Sequence, residues 1–309
     1  MAHACGKLIL LGEHAVVYGA PAIAVGIEKG ASAHARLIAE PHQPSALKIG
    51  DRLVRADDSS ELGQALAGLL RELGAPPVEV ELTVALPMGC GLGASAAMAV
   101  STARAVLAVV EPASASADEE RVLAAAAAWE RVFHGNPSGI DAATAAQGGC
   151  LLFSRDLGAQ KIPLRDELRL GVAVAGPPAR TREMIEALAR LRDLRPEMVK
   201  RSLDSIAVLV QNARSCLEAG DVDGLGKLMD LNQMLLAGLL VSTEGIEHAC
   251  RLARDAGALG AKLTGAGGGG CVIALVKGDD RPVLDAWKSA GLECFETRVA
   301  PQGGKGAST

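Results

Sequence analysis

Hydrophobic positions change their period several times along the chain, and those changes mark out its elements. Residues 5–11 (CGKLILL) are an apolar run stopped by Gly12, Glu13 and His14, which reads as a strand near the N-terminus. Segments 22–27 and 31–39 read as two further strands, with Glu28, Lys29 and Gly30 between them, and the polar stretch 41–57 reads as a hairpin. Apolar residues three and four apart predict a helix over 60–73, stopped by Gly74 and the Pro76-Pro77 pair. Residues 78–86 (VEVELTVAL) alternate at period two, the pattern of a half-buried strand. They lead through a glycine-rich loop into 94–110, which holds no Gly or Pro and predicts a buried helix.

Beyond it, the small-residue connection 111–118 ends in Asp118, an N-cap for a helix over 118–132. Asn136, Pro137, Ser138 and Gly139 make a turn, after which 140–146 starts a short helix. Strands at 150–153 and 169–175 flank a charged connector, and a boundary near 165 divides the chain into expected domains 1–165 and 166–309. Helical periodicity then dominates at 181–194, 196–219, 222–240 and 243–256. The tail alternates: strand 261–263, the loop TGAGGGG, strand 271–276, helix 281–290, strand 294–299, and a frayed end at 301–309.

Composition narrows the function classes. With 49% hydrophobic residues, 309 residues build the core of one large or two ordinary domains. A net charge of −5 lacks the basic footprint that nucleic-acid binding requires. Seven cysteines without a C-x-x-C pair, no signal peptide and no apolar run of about 18 residues predict a reducing, cytoplasmic setting with no membrane span.

The candidate chemistry centres on residues 86–97, LPMGCGLGASAA. Gly89, Gly91 and Gly93 permit positive φ and close backbone approach, and the helix that follows offers unpaired N–H groups and the positive end of its dipole. Together they read as a phosphate cradle, with the Ser95 hydroxyl in reach of a phosphate oxygen or its metal ion. The same pattern also suits a strand-to-helix turn with no ligand. Lys7 interrupts an apolar strand, so it either points to solvent at an edge or faces an anion. Asp141 reads as a helix cap or a first-turn dipole partner.

Two stretches approach a dinucleotide fingerprint, GCGLGA at 89–94 and GAGGGG at 265–270, and neither fits. The first is followed by helix and helix rather than helix and strand, and the second lies between two strands. No G-x-x-x-x-G-K-[ST] occurs, and the H-R-D and D-F-G elements of protein kinases are absent. What remains is a phosphate loop, a second glycine loop and three separated charges, Lys7, Glu130 and Asp141.

Four motifs appear in one order over nearly the whole chain: KLILLGEHAVVYG at 7–19, LPMGCGLGASAA at 86–97, HGNPSGID at 134–141 and KLTGAGGGGC at 262–271. Together they resemble the GHMP small-molecule kinases, and the wording of the first and third resembles the mevalonate kinase branch. The resemblance implies a two-domain α+β fold, an N-terminal domain like ribosomal protein S5 domain 2 and a ferredoxin-like C-terminal domain, with the active site between them. It implies that Pro87, Gly89, Gly91, Leu92, Gly93, Ala94, Ser95 and Ala96 bind the phosphates of ATP, and that Ser95 and Glu130 hold Mg²⁺. It implies Asp141 as the base for the attacking hydroxyl, with Lys7 beside it. Glu13, His14 and Thr181 would join them around mevalonate, while Gly265, Ala266, Gly267 and Gly268 support the site. A homodimer is among the expected partners.

The sequence departs from the family wording at Cys5, where a proline is usual, at Ala94, which removes one hydroxyl from the phosphate loop, and at Met98, where some members have an aromatic. Two other readings stand beside the mevalonate one: another GHMP kinase, such as one acting on phosphomevalonate, and a non-catalytic ligand sensor on the same fold.

Overall fold

In the computed structural model, which describes residues 1–40, 43–87, 89–112, 118–135, 137–177 and 181–301, the chain divides into two compact units. Unit one gathers Met1–Lys7, Glu28–Pro87 and Gly93–Gly148; unit two gathers Leu8–Ile27, Met88–Leu92 and Gly149–Thr309. The units are therefore interleaved in sequence, and residue 165, where a single cut was expected, lies within unit two. The expected frayed end falls at 302–309, outside the described residues.

Unit one is a sheet with helices against it. Strand β1 (Ala2–Leu11) pairs with β2 (Ala22–Leu37). The hairpin β3 (Ala46–Ile49) and β4 (Arg52–Arg55) follows, then helix α1 (Glu61–Leu73) and strand β5 (Val78–Val84). β2 runs antiparallel to β5, with Ala31 opposite Val84 and Leu37 opposite Val78, while β3 lies parallel to β5 on its other side. Val78, Val80 and Leu82 of β5 turn inward, as the period-two pattern requires. Helices α2 (Ala94–Val110), α3 (Glu119–His134) and α4 (Ile140–Gln147) complete the unit. Leu66, Leu69 and Leu73 of α1, Val100 and Val106 of α2, and Ala125 and Trp129 of α3 share one core with those strands. Ser60 caps α1 by accepting from the Gly63 N–H at 3.2 Å, and Asp118 caps α3 through the Arg121 N–H at 3.0 Å.

The two strands expected at 22–27 and 31–39 are one strand of 16 residues. Glu28 and Lys29 do not break it; they are exposed positions on a strand that continues. Gly30 is there for space, because a Cβ on it would lie 2.0 Å from the Ala4 carbonyl oxygen.

In unit two the first residues of β2, Ala22–Val25, pair antiparallel with β6 (Cys150–Ser154). β6 turns into β7 (Gly158–Lys161), a polar strand that no hydrophobic pattern announced. The second sheet is fully antiparallel, with β11 (Cys294–Val299) beside β8 (Leu168–Gly176), then β10 (Gly270–Val276), then β9 (Gly260–Thr264). Between β8 and β9 run α5 (Thr181–Leu194), α6 (Pro196–Ala219), α7 (Val222–Gly238) and α8 (Glu244–Asp255), and α9 (Arg281–Ser289) joins β10 to β11. On α8 Ile246, Ala249, Cys250 and Ala253 form a single buried stripe, and Ala249 also accepts the Trp287 indole N–H at 2.9 Å. No helix among the described residues is long and apolar enough to cross a membrane.

Gly30→Ala is expected to destabilise the protein by about 2 kcal/mol, because either β1 or β2 must shift to admit the methyl group. Urea unfolding measures this, and a midpoint equal to the unaltered protein's shows that the strand crossing has slack.

Candidate active site

The charges that the sequence left unplaced meet within unit one. Lys7 lies on β1 and is 2% exposed, so the solvent-facing reading of it does not hold. Its ammonium meets Asp141 Oδ1 at 2.9 Å. Asp141 sits in the first turn of α4, behind Gly139 with φ 91°, so it faces the helix dipole and the ammonium together.

The phosphate loop crosses the same lysine. Gly89, Gly91 and Gly93 all adopt left-handed backbone, with φ of 76°, 76° and 74°. A Cβ on Gly93 would come within 3.0 Å of Lys7 Cβ, so glycine lets the loop pass. α2 starts there without a side-chain cap, its first turn carrying Ala94, Ser95 and Ala96. Ser95 donates a short hydrogen bond from its hydroxyl to Glu130 Oε1, on α3. The Glu130 side chain is 4% exposed, and burial pushes its pKa up to about 7, with the Ser95 bond and the Lys7 charge opposing the rise. His134 Nε2 stands 3.5 Å from Glu130 Oε2, and burial lowers that imidazole's pKa, keeping it neutral near pH 7.

Unit two carries the other motifs. At Cys90 and Gly91 the phosphate loop touches the second glycine loop: a Cβ on Gly91 would sit 3.3 Å from the Thr264 carbonyl oxygen, and one on Gly270 3.3 Å from that of Cys90. Gly268 N–H donates to the Val241 carbonyl at 2.8 Å, and a Cβ on Gly267 would meet that same carbonyl at 2.2 Å. Gly265 to Gly268 therefore form a packed shelf beneath the loop rather than a free flap. Leu92, 1% exposed, anchors the loop, and Pro87 begins it.

Glu13 is fully enclosed, with Oε1 on the Lys262 ammonium and Oε2 accepting from Asn232 Nδ2 at 3.0 Å. His14 Nε2 donates to the Ala266 carbonyl at 2.8 Å, and burial lowers the His14 pKa against that bond. Lys262, Asn232 and His134 were not singled out from the sequence. Lys262 was findable by the argument used for Lys7, since it too interrupts an apolar strand. Thr181 opens α5, but its side chain, like the neighbouring Arg180, lies outside the described residues.

Chemically, unit one offers a carboxylate paired to a buried ammonium, beside a hydroxyl and a second carboxylate, with a helix N-terminus behind them. Among the described residues no group of three or more His, Cys, Asp and Glu could hold a metal ion unaided. Ser95 and Glu130 supply two hard oxygen donors, which suits a divalent cation that takes its remaining ligands from phosphate and water.

Comparison with known proteins bears directly on this arrangement. The models of the GHMP kinases N terminal domain and the GHMP kinases C terminal match residues 61–149 and 213–292. The mevalonate kinase of Pyrococcus abyssi is 33% identical over 327 residues, covering 98% of this chain and 96% of its own. The chain belongs to the mevalonate kinase family of GHMP kinases. Among solved structures, L. major mevalonate kinase in complex with R-mevalonate aligns with a TM-score of 0.86 at 29% identity, over 97% of this chain and 95% of that one. Streptococcus pneumoniae phosphomevalonate kinase, at 19% identity and a TM-score of 0.76 over 96% and 98%, shares the fold. The expected two-domain α+β GHMP fold is thus correct. In this mevalonate kinase family member the N-terminal match contains Ser95, Glu130 and Asp141, and the C-terminal match contains Asn232, Lys262 and the glycine shelf.

Glu130 makes a signed pH prediction. Folded, it holds its proton up to about pH 7, against 4.5 for the ordinary group, so the folded state binds more protons and stability falls as pH rises through that window. Glu130→Gln is expected to raise stability by up to about 3 kcal/mol at pH 8 and by little at pH 4. Thermal melts at the two pH values measure the gap, and an equal gap at both shows that burial of the charge is not the cause.

Proposed function

We propose that this protein transfers the γ-phosphoryl group of ATP to the 5-hydroxyl of mevalonate, forming phosphomevalonate for isoprenoid synthesis. The observation that carries the reading is the Lys7–Asp141 pair in the unit where Ser95 meets Glu130. Family membership over nearly the full chain supports the substrate. The proposed N- and C-terminal GHMP domains, residues 1–165 and 166–309, divide the sequence, and compact unit two crosses that boundary. Seven cysteines with no disulfide among them support a cytoplasmic setting.

Phosphoryl transfer asks little covalent work of a protein and much alignment and charge neutralisation. The N–H groups opening α2 and the left-handed glycines 89, 91 and 93 receive the phosphates. Ser95 and Glu130 would hold Mg²⁺, which when bound neutralises phosphate charge. The fit rests on a buried carboxylate that burial leaves reluctant to ionise without a cation. Asp141 takes the proton of the hydroxyl as its oxygen bonds to phosphorus and the bond to the bridging oxygen of ADP breaks. One oxygen of Asp141 is tied to Lys7, which fixes the carboxylate and sets positive charge beside the developing alkoxide. Ala94 removes no backbone N–H, so the cradle retains its donors.

Asp141→Asn is expected to lower kcat by at least about 10² with the fold retained, since the amide cannot accept the proton; steady-state kinetics beside circular dichroism measure this. The substrate is tested by ADP release with mevalonate, phosphomevalonate, galactose and homoserine side by side. Mevalonate is expected to lead by a wide margin. Preference for phosphomevalonate moves the acceptor assignment, and ligand binding without ADP release on any alcohol points to a sensor.

A further inference from the structure

His14 is one of two non-glycine residues with positive φ among the described residues, at φ 61° and ψ −46°. Ala15 N–H donates across it to the Glu13 carbonyl at 2.7 Å, closing a γ-turn of the rare, strained hand. Strain of this kind persists only where the surroundings over-determine it.

The end of β9 and the glycine loop after it do so three times at alternate residues, all within unit two. Lys262 grips Glu13, Thr264 Oγ1 accepts from Ile9 N–H at 2.9 Å and donates to the Ile9 carbonyl at 3.2 Å, and Ala266 accepts from His14. Two features of this cluster are poor choices for stability. Lys262 and Glu13 are a fully buried ion pair, an arrangement that apolar side chains commonly match or exceed. Asn232 is buried with its Oδ1 lacking a hydrogen-bond partner among the described residues, while its Nδ2 donates to Glu13. Both charges and the stranded amide serve one end, the orientation of Glu13 and of the turn it begins.

We infer that Lys262 and Asn232 are positioning residues for the phosphoryl acceptor: through Glu13 they lock the γ-turn so that His14 is presented in one orientation. Neither residue touches the reacting atoms. The inference rests on the reading above that His14 lies against the acceptor. It also recasts Glu13, whose two carboxylate oxygens are both engaged inside the protein, as part of the lock.

The test uses Asn232→Leu and Lys262→Met in the full chain, read by kinetics and by NMR of ¹⁵N-labelled histidine. For each folded variant the KM for mevalonate is expected to rise at least about tenfold, with kcat and the KM for ATP within about threefold of the unaltered enzyme. The His14 Nε2–H signal, assigned with His14→Gln, is expected to broaden or vanish in the same variants. A folded Asn232→Leu protein with unchanged KM and an unchanged imidazole signal overturns the inference, as does a fall in kcat alone. Lys262→Met strands the Glu13 carboxylate; should it fail to fold, Asn232→Leu, which keeps the ion pair, decides. If the unaltered protein does not turn over mevalonate, the acceptor assignment falls and the imidazole signal alone decides the positioning claim.

Discussion

A lysine buried inside a strand has to meet an anion, and unit one is arranged around how Lys7 does so. Its ammonium is held by Asp141 from the first turn of α4, and its backbone and Cβ are crossed by the phosphate loop at Gly93. Two elements distant in sequence are thereby fixed against one residue of β1. Losing the ammonium would leave Asp141 facing a helix dipole alone, whereas the glycine at 93 answers to the Cβ and backbone of residue 7. The Lys7–Asp141 ion pair and the loop's passage at Gly93 converge on this one residue.

The local signals for this were legible where burial follows periodicity. The helices at 94–110, 181–194 and 196–219 have the bounds that the apolar pattern predicted, and Ser60, Asp118 and Gly74 end their helices as their chemistry dictates. The failures share a cause as well. Glu28, Lys29 and Gly30 look like a break because each is a poor strand residue, yet the glycine answers to a carbonyl from β1 that no local window contains. β7 is polar because pairing with β6, rather than burial, defines it.

The site divides in the same way. Lys7, Ser95, Glu130 and Asp141 were identifiable because motif wording carried them, although the sequence by itself left Lys7 and Asp141 open. The cation-compatible pairing of Ser95 with Glu130, and the grip of Lys262 and Asn232 on Glu13, depend on contacts between residues 35, 249 and 219 positions apart. Such contacts leave no periodic trace. Stability is spent at each of these places, in a carboxylate held protonated to about pH 7, a strained histidine and an orphaned amide oxygen.

The touching glycine loops have an evolutionary consequence. At Gly91 and Gly265 backbone lies on backbone, with no side chain on either face of the contact. Selection therefore has little handle there: an added Cβ lies 3.3 and 3.4 Å from the facing backbone, on residues whose φ of 76° and 89° disfavours any side chain. The neighbours that do carry side chains, Cys90 and Ala94, are the positions where a substitution can alter the loop by small steps.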